Sequence, residues 1–348
     1  MKLLNSGVDT LYWSAYGDVA YVMTELAPFR ESARRDHAPV LWREIDGFAL
    51  SVGPGGGHGY AVYVDCAEFR IYLGETKSRP TFYVQLRAAF IHTAGLRPAI
   101  DASVAVVAQL SASPLDRVGL SRVDPFADFG DWSLTQAEAD GIVTRVSEIT
   151  AHFEPRSGLL HSVLVGKKPA ALRIYDKRRQ LKRKKGGFAD LFWGDHPGSV
   201  TRVEFEFWSE RLHDFGVRSF DDVVPSLGDL WRHGTTKFVE LRVPGRGPVE
   251  SWPVSPQWTV VQSLTDWKFC SSGLVPFRQV QGDRTTYLRA LYGYLSSFAS
   301  IEGLSGERET LRRLLECLPE VSRGRDFAVE AARKVARLPR AYRLRKAS

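Results

Sequence analysis

Apolar and polar positions change period several times along this chain, and each change marks an element. Residues 8–16 are aromatic and β-branched, the pattern of a strand. Asp18 is placed to cap a helix running to about residue 35, with Val19, Val22, Leu26 and Phe29 on one stripe and Pro28 as a kink or early stop. Strand patterns return at 40–43, 48–52, 60–64, 69–73 and 81–86, and 100–110 is a short helix pattern. Residues 121–128 form a strand of mixed charge. Ser133 to Gln136 opens a helix expected to reach about residue 149, with Ala139, Ile142, Val146 and Ile149 in line. Segments 158–165 and 170–177 predict a hairpin around Gly166-Lys167-Lys168-Pro169. A strand at 201–207, helices at 209–215 and 220–231 and a last strand at 238–243 follow.

The sum is an α+β chain: a mixed, mostly antiparallel sheet with helices packed on one face, then a helical C-terminal region. Strand–helix–strand units on either side of about residue 105 leave a duplicated fold open. Pro and Gly gather between 244 and 256. The expected domains are therefore an α+β domain over 1–245, a Pro/Gly-rich linker over 246–282 and a basic helical region over 283–348. That last region has apolar stripes at Tyr287, Leu288, Leu291, Tyr294 and Leu295, at Leu311, Leu314 and Leu315, and at Phe327, Ala331, Val335 and Leu338. With Arg333, Lys334, Arg337, Arg340, Arg343, Arg345 and Lys346 behind them, the stripes fit a helical cap with a soluble tail and a duplex-reading or assembly module equally well.

Composition narrows the class. At 348 residues, 44% hydrophobic and 25% charged, the chain can bury real cores. Its net charge of +7 points to an anionic partner. Cys66, Cys270 and Cys317 are scattered, with no zinc or disulfide spacing, and no stretch has the length of a membrane span or the pattern of a leader. A cytoplasmic protein without membrane partners is expected. The glycine-rich stretch from Gly53 to Gly59 lacks the Lys-Ser/Thr and helix start of a phosphate cradle, so it predicts a hairpin loop and no ATP motor.

The candidate chemistry lies on three strands. On Leu172-Arg173-Ile174-Tyr175-Asp176-Lys177, strand parity puts Arg173, Tyr175 and Lys177 on one face. A phenol between two cations suits attack on a phosphate, because the cations attract the anion and favour phenolate. Residues 120–128 put Arg122, Asp124 and Asp128 at one parity, and 201–207 do the same for Arg202, Glu204 and Glu206. Sharing a sheet, these strands would gather oxygen ligands suited to magnesium or manganese beside a Tyr nucleophile. The basic run from Lys177 to Lys185 leaves directly from the Tyr175 strand. It fits a solvated loop or a phosphate-backbone contact.

Ser121-Arg122-Val123-Asp124-Pro125-Phe126-Ala127-Asp128, then Leu172 to Lys177, then Thr201-Arg202-Val203-Glu204-Phe205-Glu206 resemble, in that order and approximate spacing, the rolling-circle replication initiation proteins of plasmids, phages and integrative elements, closest to the Rep_trans group. The resemblance spans roughly residues 8–258. It implies an origin-specific, metal-dependent DNA endonuclease and strand transferase. Tyr175 would form a 5′-phosphotyrosine and leave a free 3′-hydroxyl, Arg173 and Lys177 would steady the phosphate, and Asp124 and Glu204 would hold the divalent metal with Asp128 and Glu206 as further ligands. DNA contacts would come from Lys167, Lys168, Arg178, Arg179, Lys182, Arg183, Lys184 and Lys185. A host helicase and polymerase, and a homodimer, are partners the resemblance implies. Gly166-Lys167-Lys168-Pro169 stands where the family often has a Gly-Ser-Arg-like turn, and Arg178, Arg179 and Gln180 where it often has an acidic residue. Two other readings stay open: a non-catalytic DNA-binding protein on the same fold, and a metal-dependent phosphodiesterase in which water attacks.

Overall fold

In the computed structural model the described residues are 1–75, 78–154, 157–184, 193, 196–264, 284–322 and 326–328. The strands are β1 (Lys2–Tyr16), β2 (Val40–Ile45), β3 (Phe48–Val52), β4 (Val62–Asp65), β5 (Phe69–Leu73), β6 (Phe82–Leu86), β7 (Asp116–Gly130), β8 (Ile142–Thr144), β9 (Ile149–Phe153), β10 (Leu160–Lys167), β11 (Ala170–Asp176), β12 (Val200–Trp208) and β13 (Val239–Leu241). The helices are α1 (Ala20–Asp36), α2 (Ala88–Ala94), α3 (Leu96–Gln109), α4 (Gln136–Asp140), α5 (Lys177–Lys184), α6 (Ser209–Asp214), α7 (Phe220–His233), α8 (Pro256–Gln262), α9 (Arg284–Glu302) and α10 (Glu307–Ser322). Among the described residues no helix is long and apolar enough to cross a membrane.

The chain is α+β. One sheet runs β2-β3-β4-β5-β6-β1-β7-β12-β11-β10-β9, and β13 pairs with β8 beside it. Each described pairing is antiparallel, so the sheet is not mixed as expected. Alternation divides its faces. Trp13 points to the helices, donating to Ser103 of α3 at 3.0 Å and meeting Phe220 of α7 edge-on. Phe205 packs on Trp231 of α7 in the same layer, and Val203, Phe205 and Phe207 are fully buried there. The opposite parity of the same strands carries the charges.

Two expectations fail for local reasons. The helix expected from 133 to about 149 is only α4, closed by a Thr135–Glu138 capping box at its start. Gly141 ends it, and a Cβ there would meet the Arg242 carbonyl oxygen at 1.9 Å. The β-branched Ile142-Val143-Thr144 then pairs with β13. Nor is the described part of the expected linker, residues 246–264, a free tether; residues 265–282 of it lie outside the described residues. Trp258 is fully buried and donates to the Thr235 carbonyl at 2.9 Å, while Trp231 donates to the Val261 carbonyl at 2.9 Å. Pro256, read from composition as a breaker, occupies the first turn of α8, where its missing N–H costs nothing. The first compact unit accordingly extends over Met1–Val275. Ser255 accepts from the Trp258 N–H at 3.1 Å as the cap of that helix, so Ser255→Ala is expected to lower stability by about 1 kcal/mol in urea titration.

The second unit, Pro276–Ser348, is described over α9 and α10, which are tied by an Arg313–Glu302 ion pair of 2.9 Å. Leu288, Leu291, Tyr294, Leu311 and Leu315 of the expected apolar stripes are exposed. The basic tail residues from Arg333 onward, and Ala331, Val335 and Leu338, lie outside the described residues.

Candidate active site

Strand register assembles the site. Tyr175 of β11 lies opposite Arg202 of β12, and Arg202 lies opposite Asp128 of β7. Arg173 faces Glu204 one row away. Thus the three motif strands are adjacent and present their charged parity to one face, as alternation requires. Pro125 has no N–H to give to β1, and the β1–β7 register shifts between Val8 and Thr10, next to it. Bulges of this kind re-aim side chains. Here the residue at the shift is Asp9, which reaches Arg202 and lies 3.7 Å from Lys177.

Opposite charges fill the face in pairs. Arg122 holds both oxygens of Asp124 at 2.6 Å and approaches Glu206 at 3.0 Å; Arg173 reaches Glu206 at 2.7 Å. Thr10 donates to Asp124 at 3.1 Å. Arg202 lies over the Phe126 ring at 3.7 Å and grips Asp128 with two bonds of 2.6 and 2.7 Å. Trp193 donates to Asp128 at 2.9 Å. Such pairing offsets the cost of burying charge, although Glu206 Oε1, within ion-pair distance of both arginines, accepts no hydrogen bond.

A divalent ion shared by Asp124, Asp128, Glu204 and Glu206 does not fit this arrangement. Arginines take both oxygens of Asp124 and of Asp128, and two arginines converge on one oxygen of Glu206. Burial also pushes the Asp124 carboxyl up to about 8 despite Arg122. Among the described residues, no three His, Cys, Asp or Glu side chains are placed to share a metal. Magnesium needs only one or two carboxylates besides a substrate's phosphates.

Around Tyr175 the bonds are specific. Its hydroxyl donates to Glu204 Oε2 at 2.7 Å, and Lys177 donates to the same hydroxyl at 3.3 Å. Lys177 starts α5 rather than ending the strand, yet its ammonium still comes to the phenol. The second expected cation does not, because Arg173 is tied to Glu206. Burial, and then the Glu204 charge, hold the phenol well above its usual range against the pull of Arg202. Tyr175 is therefore un-ionised at neutral pH, contrary to the expectation of phenolate character, and needs a base. Glu204 can be that base: burial and the nearby Asp9 raise its carboxyl above the ordinary glutamate value, closer to working pH. Burial also lowers the Lys177 ammonium despite Asp9 and Glu204.

The basic residues divide. Lys167 ends β10 and Lys168 sits in the hairpin turn after it, roughly 20 Å from Tyr175 along the strand, and they pair with Glu148 and Glu210. Arg178 and Arg179 lie on α5 close to the site, Arg178 on the His196 carbonyl and over Trp193, Arg179 on Glu154. Lys182 on α5 is exposed. The side chains of Arg183 and Lys184, and Lys185 altogether, lie outside the described residues. The run is thus helical through Lys184 rather than a loop.

No protein-family model matches the chain, and no curated protein matches it. Among solved structures, it is similar to a rolling-circle replication initiator protein from Geobacillus stearothermophilus, with a TM-score of 0.43 and 13% identity over 78% of this chain and 99% of that chain.

Proposed function

We propose that this chain is a replication initiator that nicks one DNA strand at an origin by transferring the strand to Tyr175. The observation that carries the reading is the Tyr175 hydroxyl, bonded to the buried base Glu204 and flanked by Lys177 and Arg202. The ordered motifs shared with rolling-circle initiators, and a basic helix leaving directly from the Tyr175 strand, support DNA as the substrate.

Glu204 takes the phenolic proton as the Tyr175 oxygen bonds to phosphorus. The bond from phosphorus to the 3′ oxygen breaks, and that oxygen acquires a proton from water. Lys177, bonded to the attacking hydroxyl, offsets the charge on the non-bridging oxygens, an electrostatic role that pays best in a dry site. The tyrosyl ester keeps the phosphodiester energy, so resealing needs no nucleotide, and the free 3′-hydroxyl is left for a polymerase. Unwinding falls to a helicase supplied by the host.

The test is an adduct assay on supercoiled and single-stranded DNA carrying this gene and its flanks, run with magnesium, with manganese and with chelator. A shifted protein–DNA species whose modified peptide contains Tyr175 supports the reading. Nicking without such a species would make water the nucleophile. Binding without nicking, on DNA shown to hold the origin, would leave a DNA-binding protein only. Glu204→Gln is expected to slow adduct formation about a hundredfold. It should also flatten the rising limb of the pH–rate profile, read by quenched time courses. The sign follows from the base: Glu204 must be ionised to accept a proton, and its raised folded-state value moves that limb above the ordinary glutamate range.

A further inference from the structure

On the side of Tyr175 away from Glu204 lies a cavity of about 440 Å³, within the size range of small-molecule sites. Strand order explains it: β11 is followed by β10 and β9, whose site-face residues are smaller or flat. Ser162 lies opposite Tyr175, Leu164 opposite Arg173, and His152 opposite Ser162. The His152 and His161 rings are nearly parallel, 15° apart with centroids 6.2 Å from each other. Arg179 and Gln180 close the wall from α5. Neither a four-carboxylate metal centre nor the proton transfer uses this space.

The geometry points to a subsite for one unpaired nucleotide next to the phosphate that Tyr175 attacks. This rests on the reading of Tyr175 as nucleophile. The cavity is too small for a base pair with its backbones, and an enzyme that works on one strand must take the nucleotide out of the stack. Imidazole and phenol faces suit base stacking, which is tolerant of sequence. The Ser162 hydroxyl and the Gln180 amide each donate and accept, so they can meet a base edge. Arg173, with 48% of its side chain exposed, and Arg179, set by Glu154, stand where flanking phosphates would run.

A strand rather than a lone metabolite is favoured by continuity. Two further cavities, of about 470 and 390 Å³, share Asp176 and Arg179 with the first and carry the space past Ser199 and Lys182. Along all three, the charged lining is Arg173, Arg178, Arg179 and Lys182 against Asp176. A basic track of this kind fits a single polyanionic strand.

The test uses calorimetric titration of the full chain with thymidine 3′,5′-bisphosphate, which carries one base between two phosphates, against inorganic pyrophosphate. Because it reads binding without cleavage, it can succeed where the nicking reading fails, and fail where nicking is found. The bisphosphate is expected to bind at least about tenfold tighter than pyrophosphate, the worth of one stacked base. Leu164→Trp, which fills the cavity, should weaken it at least as much. Should the Trp variant not fold, His152→Ala should weaken the bisphosphate and spare pyrophosphate. Equal affinity for the two ligands, absent bisphosphate binding, or a folded Leu164→Trp chain that binds normally overturns the subsite.

Discussion

Tyr175→Phe abolishes the covalent protein–DNA adduct and nicking, while affinity for the same DNA is retained. The change deletes one oxygen, the atom that forms the new bond to phosphorus, so no residual route through the enzyme remains. It keeps the ring, which fills the same space on β11. What it removes besides the nucleophile are the bond to Glu204 and the longer one from Lys177, modest terms in a folded protein. The affected carboxyl is already held above its ordinary value, so it can keep a proton once the phenol's donor is gone. The chain should therefore fold and bind, and adduct gels beside binding isotherms separate chemistry from recognition. Nicking that persists in Tyr175→Phe would exclude Tyr175 as the attacking group, whatever the DNA affinity.

Strand periodicity made the placement of this tyrosine legible, because parity alone predicts which side chains share a face and the order of three strands did the rest. The same parity explains where the reading went astray. Arg122 stands two residues from Asp124, and Arg202 two from Glu204. Arg122 does meet Asp124 along its own strand, whereas Arg202 reaches across to Asp128 on the neighbouring strand, so these arginines neutralise two of the carboxylates expected to hold a metal. Two contributors left no periodic signal. Asp9 comes to the site only because a register shift beside Pro125 turns it there, and Pro125 is the clue the sequence offered. Trp193, which braces Asp128, follows a basic stretch with no pattern. The ionisation of Tyr175 was not legible either: adjacent cations are visible in sequence, whereas the burial that outweighs them is a property of the assembled sheet. The same limit hid α8, where proline content suggested a tether and a buried tryptophan makes a core.

Arg202→Ala is expected to destabilise the first unit by about 3–5 kcal/mol, more than loss of any surface pair. Arg202 is 3% exposed and is the shared counter-ion of Asp128 and Asp9, with its guanidinium lying on Phe126. Removing it leaves two buried carboxylates facing each other across the space it filled, with Lys177 and the more distant charge of His92 left to answer Asp9. The deficit should depend on pH with a definite sign. In the native chain burial works to raise Asp9, but Arg202 and Lys177 outweigh it and hold the carboxyl below the usual aspartate value. A depressed group contributes stability above its unfolded value of about 3.9 and loses it as pH falls through the folded one. Without Arg202 the same carboxyl is pushed upward, so the folded variant takes up a proton that the unfolded chain releases near pH 4. The gap between native and Arg202→Ala in urea titrations should therefore be widest near neutrality and close as the buffer is taken toward pH 4. A gap that stays constant over that range would mean that the arginine stabilises by packing on Phe126 alone, and the charge set around Tyr175 would have to be redrawn without it.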